Sequence, residues 1–197
     1  MITLDQLLQS RDIRSARQSD WVKDNPGLVL VCLTVILPGP VKRDHRSLKV
    51  AQAGVAAIRE TLHPVKEECF DLETGFEAFF LVPEDPLECK LKCCGIEDGH
   101  PLGRLMDIDV LESSERSAVP VMDIDVLESS RQFAVPVMDI DAMEPSRPFA
   151  VPVGRDRIGR PGRLCLLCGQ PARECMRART HSLEELQRRI DRIVEAA

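Results

Sequence analysis

The stretch HPLGRLMDIDV, residues 100–110, decides the fold. Its Pro/Gly turn followed by apolar residues predicts a short strand over residues 105–110. Because alternate side chains of a strand share a face, we expect Asp107 and Asp109 to point the same way, roughly 7 Å apart at Cα. We call these two residues the D-x-D pair. The apolar side chains of the opposite face would pack on the core; they are Met106, Ile108 and Val110.

Two neighbouring carboxylates repel each other unless a cation lies between them. Mg²⁺ usually binds one or two carboxylates together with substrate phosphates, so Asp107 and Asp109 are candidate magnesium ligands. Arg104 offers a guanidinium fork that matches a phosphate, and His100 is the nearest candidate general base. A histidine before Pro-Leu-Gly can equally fix the turn by a hydrogen bond. The alternative for the aspartates is an exposed pair on a solvated strand face.

The composition is that of an ordinary globular protein, with 44% hydrophobic and 29% charged residues among 197. We expect one domain spanning residues 1–197. A net charge of −6, one tryptophan and no tyrosine argue against a general nucleic-acid binder. No apolar run approaches the roughly 20 residues of a membrane span. The N-terminus lacks a signal-peptide pattern, so we expect a cytoplasmic location.

Local patterns predict the other elements. In chain order they are a helix capped at Thr3, a strand over 28–37, a helix over 47–62, a strand over 74–82, a helix starting at Asp85-Pro86, and a last helix capped at Ser182. The first helix carries Arg11, Arg14 and Arg17 along one side, which is usually a solvated face. We expect an α+β fold with a mixed β-sheet and flanking helices, nucleotidyltransferase-like only by analogy.

A 16-residue unit occurs three times in succession, at residues 106–121, 122–137 and 138–153. The copies read MDIDVLESSERSAVPV, MDIDVLESSRQFAVPV and MDIDAMEPSRPFAVPV. They would form either a small solenoid of stacked turns or a duplication inside a loop, where added length costs little. The proline of each copy suits loops and edges. We therefore expect residues 122–153 to be a tandem-repeat loop insertion, with only the first D-x-D in the sheet.

The segment of residues 154–181 combines basic residues with a Cys/His set. Cys165, Cys168, Cys175 and His181 have the ligand types and number of a tetrahedral structural zinc site. The alternative is that free thiols pack a turn. The arginines predict a surface for a phosphate-rich ligand or an acidic partner; they are Arg155, Arg157, Arg160, Arg163, Arg173, Arg177 and Arg179.

Five blocks of the chain resemble, in the same order, the apo-citrate lyase phosphoribosyl-dephospho-CoA transferases, also called citrate lyase holo-acyl-carrier protein synthases. The blocks extend from the first helix to the last and read RDIRSARQ (11–18), LTVILPGPVK (33–42), TGFEAF (74–79), HPLGRLMDIDV (100–110) and RLCLLCGQPARECMRARTHS (163–182). The D-x-D block followed by the Cys/His block is the most specific part of this resemblance.

The resemblance implies a nucleotidyltransferase that attaches a prosthetic group. The donor would be 2′-(5″-triphosphoribosyl)-3′-dephospho-CoA, and the acceptor a serine of the apo acyl-carrier γ subunit of citrate lyase. Diphosphate would leave, with its charge neutralised by Mg²⁺ on the D-x-D pair and by Arg104. We assign Lys42, Gly39 and Arg163 to substrate binding. No nucleic acid or membrane partner is expected.

Three other interpretations stay open at this point. One is the analogous transferase of malonate decarboxylase, although the Cys/His block favours the citrate lyase branch. Another is a non-catalytic, zinc-stabilised interaction module that binds an acidic partner. The third is an inactive member of the family, because the repeats intervene and Ile36 stands where the family usually has an asparagine.

Overall fold

The computed structural model describes residues 2–117 and 149–197. Its elements are α1 (Leu4–Asp24), β1 (Val29–Val35), α2 (His45–Leu62), β2 (Lys66–Leu72), β3 (Gly75–Val82), α3 (Pro86–Gly99), β4 (Met106–Ser113), α4 (Ser114–Ser117), β5 (Ala150–Pro152), α5 (Ala172–Ala178) and α6 (Leu183–Ala196). Every helix and strand expected from the sequence is present. None of the described helices combines the length and apolar character that a membrane crossing requires.

The five described strands form one sheet in the order β2-β3-β1-β4-β5, and every pairing is antiparallel. Helix α2 connects β1 to β2, and α3 connects β3 to β4, so each crossover skips one strand. This β-α-β-β-α-β order is that of the ferredoxin-like split βαβ motif. The α+β class is confirmed. The mixed sheet is wrong for these strands, because strands that run in the same direction are never neighbours.

The two faces of the sheet are covered differently. One face packs against α2 and α3, and α6 packs on α2. This face holds the larger core, in which Leu33, Phe80 and Ile108 are fully buried. On the other face, which we call the α1 face, Phe79 meets Trp21 of α1 edge to face, with ring centroids 5.6 Å apart. The buried residues of α1 are confined to its C-terminal part. The apolar packing of α1 is therefore concentrated at its C-terminal end.

Local signals account for the element boundaries. The Thr3 side chain accepts a hydrogen bond from the Gln6 N–H at 3.2 Å, which confirms the first capping box. Ser182 accepts from the Glu185 N–H at 3.2 Å, which confirms the last. Such caps are each worth about 1 kcal/mol of helix stability. The apolar run that became β1 lies in the centre of the sheet between β3 and β4, as a strand buried on both faces must.

Sequence patterns missed two strands, β2 and β5, and two short helices, α4 and α5. Strand β2, KEECFDL, is largely exposed at the sheet edge, so its charged residues hide the strand pattern. Strand β5 corrects the end of the expected loop over 122–153, because Ala150–Pro152 pairs with Leu111–Ser113 at the opposite edge. An edge strand tolerates Pro152. The rest of that loop prediction, up to residue 148, lies outside the described residues.

Candidate functional site

The two aspartates of the D-x-D pair share one face of β4, as predicted, and this is the α1 face. Asp107 stands opposite Thr34 of β1, and Asp109 stands opposite Cys32. The surrounding protein partly desolvates the Asp109 carboxyl, and the negative charge of Asp107 adds to this effect, so the pKa of Asp109 is raised above its usual value. Its side chain nevertheless keeps a solvent-exposed surface. Two crowded, accessible carboxylates form a donor set that suits a hard cation.

A third carboxylate shares this face. Glu77 of β3 stands opposite Thr34, so Glu77, Thr34 and Asp107 form a row across three strands. Glu77 is 4% exposed, and Arg14 of α1 donates to its Oε1 at 3.1 Å. Arg17 Nη1 lies 3.9 Å from Oε2. Burial outweighs both arginines, so the pKa of Glu77 is raised.

Sequence reasoning missed Glu77 and misjudged the arginines. Arg14 and Arg17 were expected on a solvated face, whereas both are half-buried over the sheet. The signal was present in GFEAFFLV, where Glu77 is the one acidic residue of an apolar strand. A lone acid in such a strand needs a cation from another element. The sequence does not indicate which element supplies the cation, because Arg14 and Glu77 are 63 positions apart.

A groove of about 320 Å³ adjoins Glu77 between α1 and the β2–β3 turn. Gln6, Ser10 and Arg17 of α1 line it together with Glu77 of β3. The Ser10 Oγ lies 2.7 Å from the Thr74 Oγ1, which ties α1 to the turn. The groove offers a concave surface next to the row of carboxylates.

Cys32 lies beside Asp109 on the neighbouring strand as a neutral thiol. It is 2% exposed, and burial raises its pKa well above the usual value despite a hydrogen bond with Gln18. A thiol that stays protonated is a poor nucleophile. Cys32 is therefore a poor candidate for a nucleophile on this face.

His100 fixes the turn before β4. Its Nδ1 accepts from the Leu102 N–H at 3.0 Å, and its carbonyl accepts from the Gly103 N–H at 2.8 Å. A Cβ on Gly103 would lie 2.5 Å from the Ile96 carbonyl oxygen, so only glycine fits where the turn crosses α3. The role of His100 as a turn-fixing partner is confirmed, and its role as a general base stays a prediction.

Two arginines flank the start of β4. The Arg163 Nη2 donates to the Met106 carbonyl at 2.6 Å and lies 3.6 Å from the Asp107 Oδ1. Arg104 donates from Nη2 to the Leu164 carbonyl, which uses one of its five N–H groups. The structure thus places Arg163 next to the D-x-D pair, and it places Arg104 next to Leu164.

Lys42 and Gly39 lie in the loop after β1. The Ile36 N–H donates to the Leu105 carbonyl at 2.8 Å, so this loop starts at the same end of the sheet as Asp107. Lys42 donates to the Leu37 carbonyl, and burial lowers its pKa. Gly39 has φ 98° and packs against Leu183 of α6. Lys42 therefore contacts its own loop, and Gly39 contacts α6. Substrate binding by either residue stays a prediction.

The expected basic surface over residues 154–181 needs a correction. Its first four arginines are paired within the chain: Arg155 with Glu97 and Asp98, Arg157 with Glu112, Arg160 with Asp98, and Arg163 with Glu97. Glu97 and Glu112 are buried carboxylates that require a cation. The last three arginines of the segment, Arg173, Arg177 and Arg179, are exposed.

The four Cys/His residues converge as the sequence predicted. A small hairpin, closed by the Leu164–Pro171 bridge, carries Cys165 and Cys168. Helix α5 carries Cys175, and His181 follows it. Their ligand atoms all lie within 4.8 Å of one another. All eight cysteines of the chain are free.

The spacing of these atoms suits a tetrahedral ion. The Cys168 Sγ lies 3.5 Å from the Cys175 Sγ and 3.2 Å from the His181 Nε2. Bonds of about 2.0–2.3 Å at tetrahedral angles place ligand atoms roughly 3.3–3.8 Å apart, which is close to both distances. Although burial alone would raise it, backbone N–H groups of Leu167 and Cys168 lower the pKa of Cys165 to about 7. The group could therefore bind a metal ion.

Comparison with known proteins agrees with the blocks quoted from the sequence. The family model for apo-citrate lyase phosphoribosyl-dephospho-CoA transferase matches residues 2–121 and 124–197. A relative of that name from Citrobacter koseri is 31% identical, covering 100% of this chain and 90% of the relative. One from Escherichia coli is 30% identical over 98% of this chain and 88% of its own length. A Streptococcus pyogenes protein, a probable enzyme of that name, is 30% identical over 99% of this chain and 86% of its own. The chain therefore belongs to the apo-citrate lyase phosphoribosyl-dephospho-CoA transferase family.

Proposed function

We propose that this protein transfers the 2′-(5″-triphosphoribosyl)-3′-dephospho-CoA prosthetic group to a serine of the apo acyl-carrier γ subunit of citrate lyase. The serine oxygen would form a bond to the α-phosphorus of the donor's triphosphate. The bond from that phosphorus to the departing diphosphate would break, and the serine proton would pass to a base or to water. Family membership supports this reaction. The observation that carries it is the D-x-D pair on the α1 face with Arg163 beside it.

The reaction requires neutralised phosphate charge, and the residues on this face suit that task. Asp107 and Asp109 would hold Mg²⁺, which when bound neutralises charge on the departing diphosphate. Arg163 and Arg104 would donate to phosphate oxygens from the edge of β4. His100 remains the nearest candidate base. Because its Nδ1 accepts from the Leu102 N–H, the neutral ring carries its proton on Nε2, so His100 could take the serine proton only by giving up this hydrogen bond. Lys42 would approach from the loop after β1.

The groove next to Glu77 is the candidate site for the nucleotide part of the donor. It lies on the α1 face between α1 and the β2–β3 turn, and Arg17 and Glu77 are among the charged residues that line it. This placement would direct the triphosphoribosyl end towards Asp107. The row of Glu77, Thr34 and Asp107 spans the distance between the two.

The Cys/His group would hold a structural Zn²⁺. All four ligand positions of a tetrahedral ion would be filled by protein, which is the pattern of closed structural sites. The ion would fix the hairpin and α5 against the start of α6. Because Arg104 donates to Leu164 at the base of this hairpin, the ion would also support the edge of the candidate site.

The carrier would dock on the exposed face of α5. Arg173, Met176 and Arg177 are spaced three and four apart, so they share one helix face, and all three are exposed. Met176 is 73% exposed. An apolar centre flanked by cations suits an acidic, helical carrier surface. The malonate decarboxylase carrier is the alternative acceptor.

Mass spectrometry of the carrier tests the proposed reaction. Apo γ subunit is incubated with donor, Mg²⁺ and this protein, and its intact mass is measured. We expect the γ subunit to gain the mass of the donor minus diphosphate, with the added group on one serine. No mass gain is expected when EDTA is present during the incubation. A γ subunit of unchanged mass, or modification of the malonate decarboxylase carrier alone, would contradict the proposal.

A further inference from the structure

Part of β4 lacks a neighbouring strand on one side among the described residues. Strand β5 pairs only with Leu111–Ser113, and the Val153 N–H donates to the Val110 carbonyl. The backbone from Met106 to Asp109, which carries the D-x-D pair, therefore borders α3 and the Arg163 segment. Buried backbone groups at such an edge need other partners.

Charged side chains provide those partners. The Lys90 Nζ of α3 donates to the Ile108 carbonyl at 2.9 Å, and the Ile108 N–H donates to the Glu97 Oε1 at 2.8 Å. Ile108 is the middle residue of D-x-D. Both of its backbone groups are thus held by side chains from one helix, while Arg163 holds the Met106 carbonyl at 2.6 Å.

Lys90 and Glu97 are buried to a degree that charged residues seldom are. Lys90 is 5% exposed and Glu97 is 3% exposed. Glu97 is fully partnered, because Arg155 donates to its Oε2 at 2.8 Å and Arg163 pairs with Oε1. A strand or an apolar contact would cover this edge without burying charges, which is often as stable. What the two charged side chains add is a fixed position for the Ile108 backbone.

We propose that Lys90 and Glu97 are positioning residues for the D-x-D pair. By holding both backbone groups of Ile108, they set the distance and direction of the two carboxylates that flank it. Productive metal and phosphate geometry tolerates errors of only about 0.5 Å, and a 1 Å misplacement can cost roughly 100-fold in rate. This inference rests on the proposed function, because it assigns the pair a ligand role.

Divalent-ion binding provides a readout that does not depend on transfer. Lys90→Met removes the donor to Ile108 and keeps an unbranched stem of similar length. We expect it to weaken Mn²⁺ binding several-fold, as measured by electron paramagnetic resonance of the free ion. Transfer should lose about 10- to 100-fold in kcat with little change in the KM for the carrier. Lys90→Arg, which keeps a donor, should recover part of both losses.

Lys92→Met is the matched control, because Lys92 lies on the same helix but pairs with Glu84 at the surface. It should match the wild type in Mn²⁺ binding and kcat. Should Lys90→Met not fold, Lys90→Gln serves instead, since its neutral side chain is one bond shorter and would not reach the Ile108 carbonyl as the Lys90 Nζ does. A folded variant with wild-type Mn²⁺ binding and rate would overturn the inference. So would unfolding of both variants beside a folded Lys92→Met, which would assign the pair to folding alone. A wild-type protein that binds Mn²⁺ but transfers nothing would contradict the proposed function instead.

Discussion

The guanidinium of Arg163 lies 3.6 Å from the carboxylate of Asp107 while it donates to the Met106 carbonyl at 2.6 Å. One side chain thus joins the segment after the repeats to the strand that carries the D-x-D pair. The same segment continues directly into the Cys/His hairpin. The candidate metal group and the candidate catalytic strand are therefore connected through Arg163.

Arg163→Gln should lower kcat/KM for the donor about 10- to 100-fold. A hydrogen bond to a charged group contributes roughly 1.5–3 kcal/mol, and each 1.4 kcal/mol corresponds to about tenfold. Arg160→Gln is the control, because Arg160 pairs only with the surface carboxylate of Asp98 in the described structure. Initial rates over a range of donor concentrations provide the measurement. Equal kcat/KM values for the two variants would show that Arg163 does not contribute to donor binding or transfer.

Glu77→Gln should become more stable relative to the wild type as pH rises from 4 to 7. The pKa of Glu77 is raised above its usual value of 4.5, so the folded state holds this proton more tightly than the unfolded state. Wild-type stability from this group is therefore lost as pH rises from 4.5 through the folded pKa. Urea unfolding at pH 4, 5.5 and 7 measures the difference.

Glu67→Gln should show the opposite trend and serves as the control. The hydrogen bond from Arg59 lowers the pKa of Glu67, so this carboxylate stabilises the fold above its usual pKa and loses that contribution as pH falls. Its partial exposure keeps the effect small. Parallel pH trends in the two variants would show that burial of Glu77 does not dominate.

Purified protein should contain about one zinc ion per chain. Chelation, or Cys168→Ser, should lower the melting temperature, because a closed Cys/His site contributes folding free energy directly. Cys69→Ser is the control, since Cys69 is exposed and outside the Cys/His group. Elemental analysis and thermal unfolding provide the two readings. Stable protein without metal would mean that the thiols only pack the turn.

Deletion of residues 122–153 should leave the fold and transfer intact. The first and third copies both end in AVPV, so this deletion gives the same sequence as removal of residues 118–149. The AVPV that forms β5 is therefore retained. Shortening a connection costs or gains little, roughly 0.6 kcal/mol per doubling of length. Thermal unfolding and the carrier assay test this, and an unfolded deletion protein would favour the solenoid interpretation.

Structural features that depend on residues close together in the sequence could be predicted. Thr3 and Gln6 form a capping box within one turn, and the alternation around Ile108 placed the D-x-D pair on one face. These features depend on residues a few positions apart. Their physics is local, so a single sequence contains it.

Long-range pairing set the limit of prediction. The Arg14–Glu77 ion pair joins residues 63 positions apart, and Arg155 reaches Glu97 across 58. Charge alone could not show whether these arginines face a ligand or a buried carboxylate. The sheet was misjudged for the same reason, since the order of strands depends on which ones the crossover helices skip.

The central claim is that the first D-x-D copy, on the α1 face of β4, carries out the transfer. Intact-mass measurement of the carrier after a fixed time tests it in four variants: Asp107→Asn, Asp109→Asn, Asp123→Asn and Asp139→Asn. We expect the Asp107→Asn and Asp109→Asn proteins to fold but to leave the carrier unmodified. The Asp123→Asn and Asp139→Asn proteins should modify it at the wild-type rate. Modification that survives Asp107→Asn and Asp109→Asn but is lost with Asp123→Asn or Asp139→Asn would contradict the account.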